Sequence, residues 1–150
     1  MGHDSFSRRE AVAGALATAA LTAGATRTDA ASDNADLTTL SISEARRRMV
    51  ARELTSVDLT RAYLARIERL NPRVNAYITV TGEQALAQAR ALDAETAAGR
   101  SRGALHGIPV ALKDNIDTAG VRTTAASAVY ADRVPTADAP VAQKLRDNKV

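Results

Sequence analysis

The sequence predicts an α/β fold, in which a largely parallel or mixed sheet is covered by helices. Residues 41–71 contain two amphipathic helical patterns, and a third helical pattern follows a short β-rich segment at residues 76–80. A continuous apolar run then occupies residues 108–112. Such a run without alternation is typical of a strand that is buried on both faces, and strands separated by helices indicate a layered α/β sheet.

The composition limits the classes of protein that fit this chain. Its 150 residues suffice for about one domain, and 45% hydrophobic with 25% charged residues is ordinary for a globular protein. The absence of cysteine excludes disulfides, thiolate metal sites and a cysteine nucleophile. The net charge is +3, and the one arginine run, residues 46–48, has no aromatic residues interleaved. We therefore expect a solvated helix face there and no nucleic-acid contact.

The first thirty residues have the order of segments that is typical of a signal peptide. Arg8 and Arg9 precede an uncharged, alanine-rich stretch at residues 11–26, which ends in small residues suited to a peptidase. The arginine pair after Ser7 predicts a leader, residues 1–30, for the twin-arginine export machinery and hence a periplasmic or extracellular location. The stretch is shorter than the ~20 residues of a bilayer span, so we expect no stable membrane span. An alanine-rich leader that contains two arginines by chance is the alternative.

Capping residues and apolar spacing predict the helices. Ser41 with Glu44 forms a capping box, in which each side chain accepts the other's free backbone N–H, and Thr81 with Gln84 predicts the same for a helix reaching about residue 98. The second helix is expected to end at Pro72. Its apolar positions recur every three or four residues, at Leu59, Ala62, Tyr63, Ile67 and Leu70. A last helix near residues 139–150 is expected to face inward with Val141 and Leu145, and with Asn148 also on that side.

The predicted strand at residues 108–112 ends on Lys113, Asp114 and Asn115. Ligands of such sheets collect at the carboxyl ends of the strands. Only three of the twenty basic residues are lysines. Arginine keeps its proton at working pH, whereas a lysine amine in an apolar site can release its proton and act as a base. The alternative is a lysine that simply pairs with Asp114 or Asp117 at a strand end.

Three segments together resemble the N-terminal part of the amidase signature family. They read LTSVDLTRAYLARIERLNPRVNAYI, RGALHGIPVALKDNIDTAGVRTTAAS and DAPVAQKLRDN, and the resemblance extends over residues 37–150. We expect the chain to resemble exported bacterial peptide amidases more strongly than the A subunit of the tRNA-dependent glutamine amidotransferase. The family implies hydrolysis of a small-molecule or peptide amide to a carboxylate and ammonia or an amine. It also implies an α/β/α fold around a large mixed sheet, of which this chain would be an incomplete N-terminal portion.

The resemblance assigns roles to three residues. Lys113 matches the lysine of the family's Ser-Ser-Lys triad, in which the neutral amine takes a proton from a bridging serine that activates the nucleophilic serine. Asp114 and Asn115 are then residues that orient the loop around the lysine. His106 is expected to be a turn residue with local hydrogen bonds, outside the triad. No cofactor is implied, and no acidic residue near Lys113 has a histidine at metal-ligand spacing.

Two features depart from the family pattern. Ala126 precedes Ser127 where the family usually has glycine, which costs energy if that position needs a positive φ. The family's glycine- and serine-rich signature, which supplies both serines, follows its lysine. This chain has no Gly-Gly pair, no Ser-Ser pair and no serine after Ser127. We therefore expect the 150-residue chain, with only the lysine of the triad, to be inactive by itself.

Three functional hypotheses are open on the sequence alone. The first is the N-terminal piece of an exported amidase, with the family's amide hydrolysis as its function. The second is a non-catalytic exported remnant that binds a partner through an exposed sheet edge, although such edges tend to aggregate. The third is the A subunit of an amidotransferase acting on charged tRNA, against which the leader argues.

Overall fold

The computed structural model describes residues 36–147, and the expected leader at residues 1–30 lies outside them. In this part of the chain, two 3₁₀ turns accompany four α-helices. The elements are a 3₁₀ turn Leu37–Thr39, α1 Ile42–Val50, α2 Ser56–Val74, α3 Gly82–Ala97, a 3₁₀ turn Ala128–Tyr130 and α4 Pro140–Asp147. No helix within residues 36–147 combines the length and the apolar character that crossing a membrane requires.

Side-chain caps define where the first two helices begin. The Ser41 hydroxyl accepts the Glu44 N–H at 3.2 Å at the start of α1. The Thr55 hydroxyl likewise accepts the Asp58 N–H at 3.0 Å at the start of α2. The predicted box at α1 is only half formed, because the Glu44 carboxylate binds arginines of its own helix instead. α3 starts as predicted, but Thr81 makes no side-chain cap.

The end of α2 differs from the prediction. Pro72 lies inside the helix, which continues to Val74, so the predicted stop at Pro72 is wrong. Asn75 adopts the left-handed conformation with a φ of 48°, and its N–H donates to the Asn71 carbonyl. A left-handed residue of this kind is a common helix terminator. Proline in the last turn removes a single backbone hydrogen bond, which this 19-residue helix tolerates.

The core lies where α1 and the start of α2 meet. Its buried side chains are Ala45, Met49, Leu54 and Leu59, and half-buried Leu37, Leu40, Tyr63 and Ile108 pack against them. α3 is joined to this core by Asp93, whose carboxylate accepts the N–H groups of Ser56 and Val57 at 2.7 and 3.1 Å. The first turn of α2 is thus capped by a side chain of another helix.

No strand forms within residues 36–147, so the predicted strands at 76–80 and 108–112 are absent there and the sheet is not confirmed. Ile108 packs on the core, but Val110 and Leu112 are 53% and 37% exposed. A helix closes its hydrogen bonds within its own segment, whereas a strand needs a second strand beside it. The described residues offer no such neighbour, and residues 108–112 lie outside any element of secondary structure.

α4 confirms the helix predicted near the end of the sequence, but its buried side is different. Ala142 is buried and Leu145 half-buried, whereas Val141 is 48% exposed. The helix is therefore rotated relative to the predicted face, and the small Ala142 is its buried residue. Asn148 lies outside the described residues.

Candidate functional site

Lys113 lies where the segment 108–112 ends and the chain turns. The Ile116 N–H donates to the Lys113 carbonyl at 2.9 Å, which closes a turn over residues 113–116. The Lys113 side chain is exposed and makes no hydrogen bond or ion pair with any residue in the range 36–147. The expected burial of this lysine is therefore not provided by the described residues. The alternative pairing with Asp114 or Asp117 is not formed either, since both carboxylates bind other groups.

Asp114 ties the turn at Lys113 to the loop ten residues further along the chain. Its carboxylate accepts the Thr124 hydroxyl at 2.5 Å, the Thr124 N–H at 3.1 Å and the Ala126 N–H at 3.1 Å. Its carbonyl accepts the Ala125 N–H at 2.8 Å. The Thr124 hydroxyl and N–H, joined by the Ala126 N–H, lower the pKa of Asp114. Asn115, also expected to orient the loop, is exposed and has no hydrogen bond within the described residues.

The loop that Asp114 holds contains two alanines in the left-handed conformation. Ala125 and Ala126 have φ values of 52° and 53°. The sequence predicts that alanine at position 126 costs energy if that position needs a positive φ. Ala126 does have a positive φ, a conformation that favours glycine, so the cost applies. Backbone strain of this kind persists only where surrounding contacts over-determine it. The hydrogen bonds from Thr124, Ala125 and Ala126 to Asp114 supply such contacts.

Sequence reasoning missed Thr124 as the partner of Asp114. The carboxylate and the hydroxyl are ten residues apart in the chain, and no helix or turn motif predicts a contact at that separation. The Thr123-Thr124 pair, which is buried, looks like ordinary loop composition in the sequence. The sequence offered one indication that this loop is unusual. Ala126 stands where the family usually has glycine, which indicates a backbone position with a positive φ.

Two further carboxylates form hydrogen bonds that stabilise the loop region after Lys113. Asp117 accepts both guanidinium nitrogens of Arg133 at 2.6 Å, and this pairing lowers the pKa of Asp117. Asp138 accepts the Ala119 N–H at 2.7 Å and an Arg146 nitrogen at 2.9 Å. The loop region after Lys113 is thus irregular in secondary structure, but Asp138 connects it both to the turn at Ala119 and to the last turn of α4.

His106 anchors the other end of the segment that leads to Lys113. Its side chain is 1% exposed. Nδ1 accepts the Arg102 N–H at 3.2 Å, which leaves Nε2 protonated and able to donate to the Leu92 carbonyl at 3.1 Å; the Thr96 hydroxyl lies 3.0 Å from Nε2. The turn predicted at His106 is confirmed, but its ring also bonds to α3. Because both ring nitrogens are engaged, the geometry assigns His106 to structure.

The arginine run at residues 46–48 is occupied by contacts within the fold. Hydrogen bonds from Arg47 and Arg48 lower the pKa of Glu44 to about 2, and Arg46 donates to the His106 carbonyl at 2.7 Å. Arg47 is exposed, whereas Arg46 and Arg48 are half-buried. The solvated helix face that the sequence predicts is therefore seen at Arg47, whereas Arg46 and Arg48 are partly covered by the fold.

A groove of about 480 Å³ runs beside the segment 108–112. Its walls come from α2, α3, α4 and the turn at residues 118–121, and Ile108, Val110 and Leu112 line it. Lys113 is not among the lining residues, although it directly follows Leu112. The site therefore consists of a groove lined by both apolar and polar side chains, an exposed lysine directly after Leu112 in the sequence, and a hydrogen-bonded turn over residues 113–116.

The chemistry available within the described residues is that of one amine without a nucleophile beside it. Ser127 lies in the loop held by Asp114, but its hydroxyl accepts the Val129 N–H at 3.3 Å as the cap of a 3₁₀ turn. In the part of the chain that the structure describes, no three histidine, aspartate or glutamate side chains are grouped as metal ligands would be. Lys113 matches the lysine of the expected triad, and within residues 36–147 no serine hydroxyl is hydrogen-bonded to it.

Comparison with known proteins identifies the class to which this fold and site belong. The sequence pattern of the family described as Amidase matches residues 58–149, which include Lys113, Asp114 and Asn115. The match covers more than half of the chain. This chain belongs to the amidase family.

Individual relatives extend this result. The A subunit of glutamyl-tRNA(Gln) amidotransferase from Geobacter metallireducens is 51% identical over 112 residues, 75% of this chain and 23% of the relative. Its counterpart from Sinorhizobium fredii is 48% identical over 110 residues, 73% of this chain and 22% of the relative. The crystal structure of native peptide amidase from Stenotrophomonas maltophilia superposes with a TM-score of 0.68 at 41% identity, over 73% of this chain and 23% of that protein.

The expected resemblance to peptide amidases is confirmed by the superposition. The two amidotransferase A subunits named above are nevertheless more identical to this chain, at 51% and 48% against 41%, so the expectation that the resemblance to peptide amidases is the stronger one is not supported by these relatives. The chain spans less than a quarter of the length of each of them.

Proposed function

We propose that the chain contributes the base of an amide-cleaving site, with Lys113 in that role. The observation that carries the proposal is the family match over residues 58–149, which encloses the turn at Lys113. An amidotransferase moves an amide nitrogen and a peptide amidase cleaves an amide bond, so both kinds of relative act on the C–N bond of a carboxamide. Lys113 would take the proton of a serine hydroxyl, which is a weak nucleophile until a base removes that proton.

The surroundings of Lys113 support this role in one respect and limit it in another. The turn over residues 113–116 and the four hydrogen bonds to the Asp114 carboxylate fix the backbone from which the amine extends. A base must be held within hydrogen-bond reach of its proton donor, and a fixed backbone serves that need. The amine itself is exposed, so the apolar cover that favours a neutral lysine has to come from polypeptide other than residues 36–147.

The sequence identities favour, as the specific function, that of the A subunit of a glutamyl-tRNA(Gln) amidotransferase. Identities of 51% and 48% to two such proteins exceed the 41% to the peptide amidase. In this interpretation the carboxamide is the nitrogen source of an amide-transfer reaction. Free glutamine is the substrate to test first, because it is the simplest primary carboxamide that can donate ammonia.

A second candidate is an exported peptide amidase. It is supported by the superposition on the peptide amidase and by the arginine pair and alanine-rich stretch of residues 1–30. The two candidates differ in location and substrate. Recovery of the protein outside the cytoplasm, with loss of export when Arg8 and Arg9 are both changed to lysine, favours the exported enzyme. Retention in the cytoplasm with unchanged length favours the amidotransferase.

A chimeric enzyme tests the role of Lys113 directly. Residues 37–150 replace the matching part of the Stenotrophomonas maltophilia peptide amidase, and ammonia release is measured from an amidated peptide and from glutamine. We expect Lys113→Ala to lower the rate by about 10²–10⁴-fold, the usual contribution of a general base. Lys144→Ala in α4 is the matched control and should leave the rate unchanged. A Lys113→Ala chimera that retains its rate within about threefold contradicts the proposal.

A further inference from the structure

The ring of His106 bonds to two parts of the fold, and only the neutral ring can make both bonds. Nδ1 accepts the backbone N–H of Arg102 at 3.2 Å, and Nε2 lies 3.1 Å from the carbonyl oxygen of Leu92 in α3. A carbonyl oxygen only accepts, so Nε2 carries the proton of the neutral ring and Nδ1 carries none. A second proton, on Nδ1, would point at the Arg102 N–H and abolish that hydrogen bond.

Burial makes the loss of this bond costly. His106 is 1% exposed, and the one hydrogen bond of Nδ1 within residues 36–147 is the one that it accepts from Arg102. A buried donor without an acceptor costs free energy, and a buried charge costs more unless it is paired. An imidazolium is therefore stable here only if the segment around it opens to water.

Glu95 of α3 is the carboxylate that could pair with a protonated ring, but it already has a partner. Both of its oxygens bind the Arg102 guanidinium, which chiefly lowers the pKa of Glu95, while His106 makes a smaller contribution in the same direction. If an imidazolium drew this carboxylate away, the Arg102–Glu95 ion pair would break. Either response to protonation therefore removes a contact of Arg102.

The other charges around the ring offer it no better partner. Arg46 of α1 donates to the His106 carbonyl at 2.7 Å, so its charge opposes that of an imidazolium. The Asp93 carboxylate of α3 accepts two N–H groups from the first turn of α2, and α2 contributes the uncharged Ser56. Charges on the remaining elements act on the neighbours of the ring, Arg100 on Glu95 and Asp147 on Arg102.

The ring fixes the turn that leads into residues 108–113. The His106 N–H donates to the Gly103 carbonyl at 3.2 Å, which closes this turn. The ring and the Arg102–Glu95 ion pair attach it to α3. Because the Arg102 side chain is 44% exposed in that pair, and exposed ion pairs contribute little, the buried ring is the main attachment.

We propose that His106 makes this turn acid-sensitive: protonation of Nδ1 detaches residues 102–107 from α3 while the helices remain folded. One proton is taken from water and bound to Nδ1, and the hydrogen bond from the Arg102 N–H is lost. An imidazole in water takes up its proton near pH about 6.5, so the change falls in the range in which histidine switches act. The inference goes beyond the proposed function, because it involves neither a substrate nor the Lys113 amine.

Proton linkage gives the direction of the effect. A ring that is neutral in the closed turn and protonated in the open one stabilises the closed turn above pH about 6.5, and this stabilisation is lost as the pH falls below that value. For one proton, the ratio of open to closed turn should rise about tenfold between pH about 7.5 and pH about 5.5. Glu95 and Asp114, whose pKa values are lowered, remain ionised over this range.

Hydrogen exchange of the Arg102 amide measures this ratio in the 150-residue chain. Each rate is divided by the intrinsic rate at the same pH, which leaves a protection factor. We expect the protection factor of the Arg102 N–H to fall about tenfold between pH about 7.5 and pH about 5.5. At the lower pH it should lie well below that of the Leu59 N–H, which belongs to a 2% exposed residue of α2. A fall of less than about twofold, or equal protection of both amides, overturns the inference.

Two variants assign the effect to Nδ1. His106→Asn retains an acceptor oxygen near the position of Nδ1 but has no group that gains a proton in this range, so its Arg102 protection factor should not change with pH. Thr96→Val is the matched control, because it removes the hydroxyl 3.0 Å from Nε2 and leaves Nδ1 intact. It should show the wild-type change. An undiminished fall in His106→Asn, or its disappearance in Thr96→Val, contradicts the inference.

NMR of the ring nitrogens keeps the inference testable if His106→Asn does not fold. In the wild type we expect the proton on Nε2 at pH about 7.5, and an imidazolium that appears together with the loss of Arg102 protection towards pH about 5.5. A proton on Nδ1 at the higher pH, or an imidazolium with the Arg102 amide still protected, overturns the inference. None of these measurements involves ammonia release, so their outcome is independent of the proposed function.

Discussion

The carboxylate of Asp114 lies 3.1 Å from the backbone nitrogen of Ala126, a residue with a φ of 53°. This hydrogen bond joins the residue after the proposed base to one of the two left-handed alanines of the neighbouring loop. The same carboxylate binds the hydroxyl and the N–H of Thr124. The conformation of the loop and the direction of the chain at Lys113 are therefore linked through one side chain.

Ala126→Gly should stabilise the protein by about 1 kcal/mol. A left-handed alanine costs roughly 1–2 kcal/mol, and glycine removes that cost while losing somewhat more backbone entropy on folding. Urea unfolding of the 150-residue chain measures the difference. Ala131→Gly is the control, because Ala131 has a φ of −52° and glycine there should destabilise. A loss of stability in Ala126→Gly would show that the positive φ is not maintained in solution.

Asp114→Asn should make the free energy of unfolding less dependent on pH in the acidic range. The pKa of Asp114 is lowered in the folded state by Thr124 and Ala126, so the ionised carboxylate stabilises the fold above its ordinary pKa of 3.8. This stabilisation is lost as the pH falls from that value through the lower folded pKa. The difference in unfolding free energy between wild type and variant should therefore shrink on acidification.

The control for this pH experiment is Asp132→Asn. Asp132 lies in a nearby turn and makes no hydrogen bond or ion pair within the described residues. The unfolding free energy of this variant should follow that of the wild type at every pH. A wild-type to Asp114→Asn difference that is constant between neutral pH and pH about 3 would contradict the assigned hydrogen bonds.

Gly107→Ala should destabilise the protein by about 2–4 kcal/mol. Gly107 has a φ of 82°, and an added Cβ would lie 3.2 Å from the Met49 sulfur and 3.3 Å from the Ser56 Cβ. The variant would therefore bear both a left-handed alanine and an overpacked core contact. Gly99→Ala, with a φ of 73° and open space around the added Cβ, should lose only about 1–2 kcal/mol. Equal losses in thermal unfolding would show that the packing at Gly107 is looser than described.

Asp93→Ala should cost about 1–2 kcal/mol through loss of the cap on α2. The Asp93 carboxylate accepts the N–H groups of Ser56 and Val57, and removal of a helix cap has this typical effect. Asp93→Asn keeps one acceptor oxygen and should lose less. Hydrogen exchange at the start of α2 should accelerate in Asp93→Ala. Unchanged exchange there would mean that Thr55 alone suffices as the cap.

The helices were predictable because their signals are local. Ser41 and Thr55 are capping residues that act within one turn, and the apolar spacing of α2 identifies its buried side directly. The end of α2 was mispredicted because the left-handed cap at Asn75 outweighs the proline in the last turn. The family could also be predicted from the sequence, because the motif that carries the resemblance is contiguous in the chain.

The sequence by itself was enough to place the helices, to assign the chain to the amidase family and to select Lys113 as the candidate base. The tertiary structure decided the contacts around the segment that carries the lysine. Asp114 binds Thr124 and Ala126, His106 binds α3, and residues 108–112 line a groove without a partner strand among residues 36–147. The physical reason is the range of the interactions. Helix caps and apolar periodicity act over a few neighbouring residues, whereas pairing of a strand and burial of a lysine depend on groups distant in the chain, which local spacing does not encode.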